Sequence, residues 1–263
     1  MLLLALLAAW PCAGVPRRAV VGGAPVAAEA RAVDRMTVAG RRHFARGFPA
    51  EERAGVVNAV IEIPSGTVAK FEVDDADGRM HWQRDRDHGR PREVDYLPFV
   101  VNYGMVPRTL AADGDGLDIV VLGRGIERGH VAHTRVIGVL KMGDDAERDD
   151  KLLAVPLEDA LANGFSRLHD LDELDAGYPA VRDILELWFA NYWGPGVTHV
   201  LGWGDVDEAT EVLEEAKRAF TAASVRRRAS DGAAPHLRAP RPAAAFARRA
   251  AAPLPAARSG SAD

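Results

Sequence analysis

Three carboxylates lie within six residues of this chain, in the segment Asp113-Gly-Asp-Gly-Leu-Asp118, and a strand-like apolar run follows directly. Aspartate and glycine both favour turns, so an ordinary turn is one interpretation. Three carboxylates on one loop nevertheless repel one another unless a cation lies among them. An EF-hand is excluded, because its twelve-residue loop would need glutamate at position 124, where the chain has Arg124. The segment therefore predicts a cation-binding loop beside a strand.

A second acidic segment, from Lys141 to Lys151, lies between two further apolar runs. A solvated hairpin loop is the alternative interpretation. Hard carboxylate oxygens in this number suit Mg²⁺ or Mn²⁺ better than zinc. The single cysteine, Cys12, excludes a disulfide scaffold and a cysteine-built zinc site. No P-loop and no G-x-G-x-x-G motif occurs, so nucleotide binding through those motifs has no support.

The basic residues are mostly arginine, since only four of the 33 are lysine: Lys70, Lys141, Lys151 and Lys217. Because arginine supplies generic positive charge here, we expect a lysine to be kept for its own chemistry. The candidates for holding phosphate are Lys70, Arg84 and Lys151, with Tyr103 and Tyr192 as hydroxyl donors. Divalent cations held by carboxylates and facing such groups provide what hydrolysis of a phosphoanhydride requires.

Apolar residues at 48% and charged residues at 27% exclude a wholly disordered chain, a collagen-like repeat and a polytopic membrane protein. Short apolar or alternating runs predict strands over residues 56–63, 70–73, 79–84, 117–122, 134–140 and 152–155. On the second strand, Lys70 and Glu72 share a face. Helices come late, over residues 179–193 and from a capping box at Asp205 to about Phe220. Strands first and helices later predict an α+β domain, mainly β, around a small barrel or curled sheet.

The first of these helices carries an apolar stripe of Ile184, Leu185, Trp188, Phe189 and Tyr192. The ends of the chain differ from this domain in composition. Residues 1–14 resemble a weak signal peptide, too short to span a bilayer, which predicts export to the periplasm; a mis-chosen start and a cytoplasmic protein are the alternative.

Residues 15–45 are expected to be a linker, residues 46–223 the folded domain, and residues 224–263 a disordered tail rich in Arg, Ala and Pro. No aromatic residues are interleaved in that tail for base stacking, so no specific nucleic-acid partner is expected.

Taken together, the motifs resemble those of the soluble family I inorganic pyrophosphatases over roughly residues 55–222. The matching segments stand in family order: Ile61-Glu-Ile-Pro64, Lys70-Phe-Glu72, Arg84, Asn102-Tyr-Gly104, Asp113-Gly-Asp-Gly-Leu-Asp118, Gly138-Val-Leu-Lys-Met-Gly-Asp144, Asp149-Asp-Lys151 and Trp188-Phe-Ala-Asn-Tyr192. Each segment is weak alone, but eight in register are specific. The resemblance implies an OB-like five-stranded β-barrel with flanking α-helices, and a homo-oligomer, often a hexamer in bacteria.

The resemblance also implies a role for each matching residue. Asp113, Asp118 and Asp149 match the main Mg²⁺ ligands, Asp144 joins when further metals bind, and Glu62 lies near the metals and usually acts through water. Asp115 matches the carboxylate that takes a proton from the attacking water, and Glu72 is a supporting acid. Lys70, Arg84, Tyr103, Lys151 and Tyr192 match groups that hold the two phosphates. The implied reaction is in-line attack of a metal-bound hydroxide on diphosphate, without a phosphoenzyme.

Three positions depart from the family pattern. Gly116 stands where the family usually has proline, Trp193 where it usually has lysine, and Phe99, with Tyr96 nearby, where it has a further tyrosine. These departures leave open a non-catalytic barrel that binds metal or polyphosphate. A third interpretation is a metal-dependent phosphohydrolase that acts on a larger phosphorylated substrate. Because the metal ligands and the base are intact, we expect an active Mg²⁺-dependent diphosphatase, and the departures predict weaker diphosphate binding.

Overall fold

The structure is a computed structural model, and it describes residues 30–85, 88–143, 148–194 and 196–231, with side chains up to residue 227. Its strands are β1 Ala30–Asp34, β2 Thr37–Gly40, β3 Glu51–Arg53, β4 Val56–Ile63, β5 Phe71–Val73, β6 Met80–Trp82, β7 Asn102–Met105, β8 Asp118–Val121, β9 Val131–Gly143, β10 Lys151–Pro156 and β11 His199–Gly204. Its helices are α1 Asp159–Ala162, α2 Leu171–Gly177, α3 Val181–Asn191 and α4 Val206–Asp231, with a 3₁₀ turn over Phe165–Arg167.

The core is a circuit of five strands. In order around the circuit, β4 pairs with β7, β7 with β8, β8 with β10, β10 with β9, and β9 with β4 again. The wall is not continuous, because β9 uses residues 131–134 for β4 and the rest of its length for β10 and β11. This arrangement confirms the predicted α+β class with a mainly β, OB-like barrel core and flanking helices.

Both faces of the barrel strands are covered, which explains why the apolar runs are nearly continuous. All eight residues of β4 are buried. On β8, Val120 packs in a cluster with Trp188 of α3, whereas Ile119 and Val121 pack in a cluster with Leu213 of α4. Alternate side chains of one strand therefore belong to two different core clusters, one that includes α3 and one that includes α4.

A second sheet has the strand order β1-β2-β6-β5 and corrects the predicted linker over residues 15–45. Within that range, residues 30–34 and 37–40 form strands, and Phe44 is fully buried. Four of the five residues of β1 are exposed, so an edge strand of this kind leaves little apolar periodicity for a sequence to display. Residues 1–29, with the predicted signal peptide, lie outside the described residues.

The helices match the sequence pattern with two corrections. Asp205 accepts a hydrogen bond from the Glu208 N–H (2.9 Å), so the predicted cap of α4 is confirmed. The helix continues to Asp231, however, because alanine and arginine are strong helix formers, so the predicted tail from residue 224 is helical at its beginning. On α3, Leu185, Trp188 and Phe189 are buried, but Ile184 is 53% exposed, so the apolar stripe is narrower than predicted.

None of the helices within the described ranges has both the length and the apolar character needed to cross a bilayer.

Strands β4 and β7 approach each other so closely at Gly104 that a larger residue there is expected to destabilise the fold. Gly104 of β7 pairs with Ile61 of β4, and a Cβ at Gly104 would lie 1.9 Å from the Val60 carbonyl oxygen. Because a backbone atom cannot move aside cheaply, Gly104→Ala is expected to lower the free energy of unfolding by about 2–3 kcal/mol. Urea unfolding measures this. Gly177→Ala is the matched control, since nothing lies within 4 Å of a Cβ there; equal stability of the two variants would contradict the packing argument.

Candidate active site

One pairing of parallel strands brings the two acidic segments together. Strand β10 pairs with β8 in parallel, with Lys151 opposite Asp118. Tyr103 on the neighbouring β7 is opposite Val120, two residues along β8. The register therefore collects a lysine, an aspartate and a tyrosine from three segments at one end of the barrel. Asp149, two residues before β10, joins them.

The Lys151 ammonium lies between two carboxylates. Its Nζ donates to Asp118 Oδ2 (2.7 Å) and to Asp149 Oδ1 (2.8 Å), and the side chain is 1% exposed. Burial by itself lowers the pKa of Lys151, but Asp118 and Asp149 outweigh burial and the pKa is raised. The Tyr103 hydroxyl donates to Asp118 Oδ2. Burial, followed by Asp118 and Asp149, raises the pKa of Tyr103 well above its usual range. Both groups therefore keep their protons and act as hydrogen-bond donors.

A second charged group lies on the hairpin of β5 and β6 and on β4. Lys70 Nζ is 2.7 Å from Glu72 Oε1, which confirms the predicted shared face, and Gln83 Nε2 also donates to Glu72. Burial lowers the pKa of Lys70, but Glu72 reverses the shift and the pKa is raised. Glu62, on β4, is 4% exposed and accepts a hydrogen bond from the Val73 N–H (2.7 Å).

The carboxyl of Glu62 has its pKa raised well above the usual range, first by burial and then by Glu72, with a smaller contribution from Asp118. Burial and neighbouring carboxylates also raise the pKa values of Asp115 and Asp149. Partial burial, followed by Asp113, Glu72 and Asp118, raises the pKa of Asp115 to about 7. Burial, with Asp118 and Asp113, raises the pKa of Asp149 to about 6 although Lys151 opposes this. The site thus holds more negative charge than its own lysines neutralise.

The Asp113 loop is held by its own backbone. The Asp115 N–H donates to Asp113 Oδ1 (3.0 Å), and the Asp115 carbonyl accepts from the Ala111 N–H (2.8 Å). Asp115 keeps an exposed surface, so its carboxyl is only partly removed from water by the atoms around it. At Gly116 a Cβ would lie 2.3 Å from the methyl group of Met105, so this side chain occupies the space that a larger residue at 116 would need.

Helix α3 delivers Tyr192 to the same end of the barrel. Its ring stacks on Trp188 (centroids 4.9 Å apart, planes at 14°) and meets Phe99 edge-on at 6.4 Å. Burial raises the pKa of Tyr192, whereas the charges of Lys151 and Lys70 lower it, and the net shift is upward. Tyr192 therefore belongs both to the apolar stripe and to the charged site.

The structure does not place two of the predicted residues in this assembly, for different reasons. Asp144 lies outside the described residues. Arg84 is exposed and donates to the Gly89 carbonyl (2.7 Å), in a hairpin extension where Arg84 is bridged to Pro91. The pattern of the sequence does not reveal this extension, because its turn residues resemble any surface loop.

Three nearby residues were not predicted as members of the site. Gln83 bonds Glu72, as described. Arg92 donates from Nη1 to Gln83 Oε1 (2.9 Å). Arg128 donates from Nε to the Glu62 carbonyl (2.7 Å). Gln83 could have been predicted, because it lies on the predicted strand over residues 79–84 that pairs with the strand of Glu72. Arg92 and Arg128 lie among many arginines, and nothing in the sequence distinguishes them.

The donor set fits a hard divalent cation. Asp113, Asp118, Asp149 and Glu62 offer only carboxylate oxygens, which Mg²⁺ and Mn²⁺ prefer. In the described part of the chain, three residues have ligand atoms that all lie within 4.8 Å of one another: Asp74, Asp77 and His81. They lie at a turn outside this site. The predicted carboxylates are more widely spaced, and the Lys151 ammonium lies between two of them.

Comparisons with known proteins agree on one family. The family model described as inorganic pyrophosphatase matches residues 59–221. A curated inorganic pyrophosphatase of Haemophilus influenzae is 38% identical over 176 residues, which is 64% of this chain and 90% of that protein. Solved inorganic pyrophosphatases from Helicobacter pylori and Neisseria gonorrhoeae are 30% and 28% identical, with TM-scores of 0.57 and 0.55. Each covers 66% of this chain, and the match spans 98% and 97% of those chains.

The crowding of carboxylates predicts an unusual pH dependence of stability when divalent cations are removed. Asp115, Asp149 and Glu62 have folded-state pKa values above their unfolded values. The contribution of these groups to stability is therefore fully present below their unfolded pKa values and is lost as pH rises through their folded pKa values. In EDTA, the free energy of unfolding is expected to be higher at pH 6.5 than at pH 8, about where Asp115 titrates. Guanidinium unfolding at the two pH values measures this.

Two variants isolate the cause. Asp115→Asn removes one of the three groups, so the stability gained between pH 8 and pH 6.5 is expected to shrink. Glu52→Gln removes an exposed carboxylate of β3 and is the matched control, with the gain expected to stay as in the parent chain. A parent chain that is less stable at pH 6.5 than at pH 8 would contradict the interpretation. His43 is partly buried and its pKa is lowered, so protonation of the unfolded chain below about pH 6.5 acts in that opposite direction. This sets the lower limit of the pH range for the comparison.

Proposed function

The chain belongs to the inorganic pyrophosphatase family, and we propose that it hydrolyses inorganic diphosphate to two phosphates in a Mg²⁺-dependent reaction. The observation that carries the proposal is the grouping of Asp118, Asp149 and Lys151 by the β8–β10 register, with Tyr103 bonded to the same carboxylate. Oxygen ligands for a divalent cation and cationic donors for an anion are thereby placed side by side.

We assign Asp113, Asp118 and Asp149 as the residues that would hold Mg²⁺, with Glu62 near them and Mn²⁺ as a possible substitute. Asp144 stays a prediction for additional metal. When bound, the cation would screen the charge of diphosphate, acidify water and stabilise the leaving oxygen. The raised pKa values of Glu62 and Asp149 support the assignment, because carboxylates that oppose one another's ionisation favour a bound cation.

The chain's own residues then bind and orient the substrate. The ammonium groups of Lys70 and Lys151 and the hydroxyl of Tyr192 would donate to phosphate oxygens, and Tyr103 holds Asp118 in place. Glu72 keeps Lys70 charged and oriented. Asp115 is the exposed carboxylate of the loop and is open to a water, so we assign it as the acceptor of the proton from the attacking water. Arg84 stays a predicted phosphate ligand.

In-line attack of that water on one phosphorus would break the bridging bond and release two phosphates. No group on the chain needs to form a covalent intermediate, since the catalytic contribution comes from positioning and from charge.

Two further proposals concern the whole protein. By resemblance to its family, we propose that the chain assembles as a homo-oligomer, and sedimentation of the purified protein would measure its size. Export of the chain stays a prediction from residues 1–14, with a cytoplasmic protein as the alternative. N-terminal sequencing of the mature protein distinguishes them, because an exported chain would begin after the signal peptide.

Phosphate release from diphosphate tests the proposed reaction. Turnover is expected with Mg²⁺ and is expected to disappear in EDTA. Asp115→Asn is expected to lower kcat by about 10²–10⁴-fold, because it removes the proton acceptor. Glu52→Gln, in exposed β3, is the matched control and is expected to retain full turnover. Circular dichroism on each variant verifies that the fold is intact.

The alternatives give different outcomes in the same experiment. Folded protein with Mg²⁺ that binds diphosphate by calorimetry without releasing phosphate would make the chain a binding module. Faster release from a larger phosphorylated compound than from diphosphate would make it a phosphohydrolase of another specificity. Either result overturns the proposed function.

A further inference from the structure

A guanidinium that the assigned roles do not use lies at the edge of the site. Arg92 is tied to Lys70 through the backbone: the Lys70 N–H donates to the Arg92 carbonyl (3.0 Å), and the Arg92 N–H donates to the Gln83 carbonyl (2.8 Å). The indole N–H of Trp82 donates to the same Arg92 carbonyl (2.8 Å). Arg92 therefore has a fixed position in the strand-like segment next to Lys70.

The side chain of Arg92 is held at two points. Its guanidinium carbon lies 3.6 Å from the centre of the Trp193 ring, a stacked cation–π geometry. Its Nη1 donates to Gln83 Oε1 (2.9 Å), and the amide nitrogen of Gln83 in turn donates to Glu72. Because Glu72 pairs with Lys70, a chain of contacts joins the two cations through Gln83 and Glu72.

Two cations approach the same indole ring. Lys70 Nζ lies 5.9 Å from the centre of the Trp193 ring, and the charge of Arg92 opposes the protonation of Lys70. Both Arg92 and Trp193 are partly buried. Like charges brought together in a partly buried place repel one another; Glu72 offsets part of this repulsion, and a bound anion would offset more of it.

The chemistry of a guanidinium suits this anion. Its planar fork binds phosphate oxygens in a bidentate way, which an ammonium cannot do. We propose that Arg92 is a substrate-binding residue that contacts a phosphate of diphosphate beside Lys70, with Trp193 and Gln83 as the residues that position it. The proposal rests on the proposed diphosphatase function. It also gives Trp193 a role: the indole at this position holds a cation supplied by a different segment of the chain.

The test uses the full-length protein with Mg²⁺, and it measures two quantities. Steady-state phosphate release gives kcat and KM for diphosphate, and calorimetry gives Kd for imidodiphosphate, an analogue that is cleaved slowly or not at all. Arg92→Met keeps much of the apolar stem but removes the fork, so KM and Kd are each expected to rise about 10–100-fold, the loss of a charged hydrogen-bonding pair. Thermal unfolding is measured alongside. Arg90→Met, at an exposed position of the same hairpin, is the matched control and is expected to change neither constant.

A double variant separates substrate binding from packing. In Arg92→Met with Trp193→Lys, a cation returns to the same place on a different backbone position, so Kd for imidodiphosphate is expected to recover most of the loss. If Arg92 only packs on Trp193, the second substitution removes more packing and cannot restore binding. Trp193→Leu alone is expected to raise KM more than it lowers kcat, because it frees Arg92 without removing its charge.

The outcomes distinguish this inference from the function on which it rests. Parent protein that hydrolyses diphosphate, together with Arg92→Met that keeps KM and Kd within about twofold, overturns the role of Arg92 and leaves the diphosphatase proposal standing. Parent protein that neither hydrolyses diphosphate nor binds imidodiphosphate overturns both. A raised KM in Arg92→Met with recovery in the double variant supports the role of Arg92.

Discussion

The buried ammonium of Lys151 and its two carboxylates determine how the rest of the molecule is arranged. An isolated ammonium that is 1% exposed would be strongly disfavoured, so Lys151 is stable there only because Asp118 and Asp149 contact it. Those contacts exist because β8 and β10 are parallel neighbours, and parallel neighbours need a long connection. The chain after β8 provides this connection through β9. Strand β9 pairs first with β4 and then, antiparallel, with β10, so the chain returns to the side of β8. The barrel circuit and the charged site are therefore one arrangement.

This arrangement leaves the site with an unsatisfied electrostatic requirement. Lys151 and Lys70 are already paired with carboxylates, yet the pKa values of Glu62, Asp115 and Asp149 remain raised. In the absence of a cation, protons are the available means of reducing the repulsion, and each carboxylate opposes ionisation of the others. A site that favours divalent cations in this way gives up some stability of the metal-free fold, as functional sites commonly do.

Local chemistry in the sequence was enough to predict much of the fold. The apolar run of β4, the shared face of Lys70 and Glu72 and the cap at Asp205 each depend on neighbours within a few residues, and all three are confirmed. The edge strand β1 and the exposed Ile184 were not predictable in that way, because each depends on what the rest of the chain covers. A helix stripe indicates which face turns inward, but its width is set by the partner surface.

The same limit applies to the site. Asp113, Asp118 and Asp149 stand out because acidic residues cluster along the chain, and Lys70 and Lys151 stand out because lysine is scarce. Arg92 shares its residue type with many surface positions, so only the pairing of backbones beside Lys70 distinguishes it from Arg84, which faces solvent in the same hairpin. In an arginine-rich chain, a functional arginine is thus identified by its position in the structure and not by the sequence.

The aromatic residues explain how a charged site keeps fixed geometry next to an apolar core. Phe99 is 1% exposed and contacts Tyr103, Trp188 and Tyr192, with ring centres 4.6–6.4 Å apart. The two tyrosines reach the site from different elements, a strand and the end of a helix, and Phe99 packs between them. A phenyl ring without a hydroxyl is sufficient there, because the role of this position is to hold Tyr103 and Tyr192 by packing. Rigid rings thereby place two hydroxyl groups that the charged residues alone could not orient.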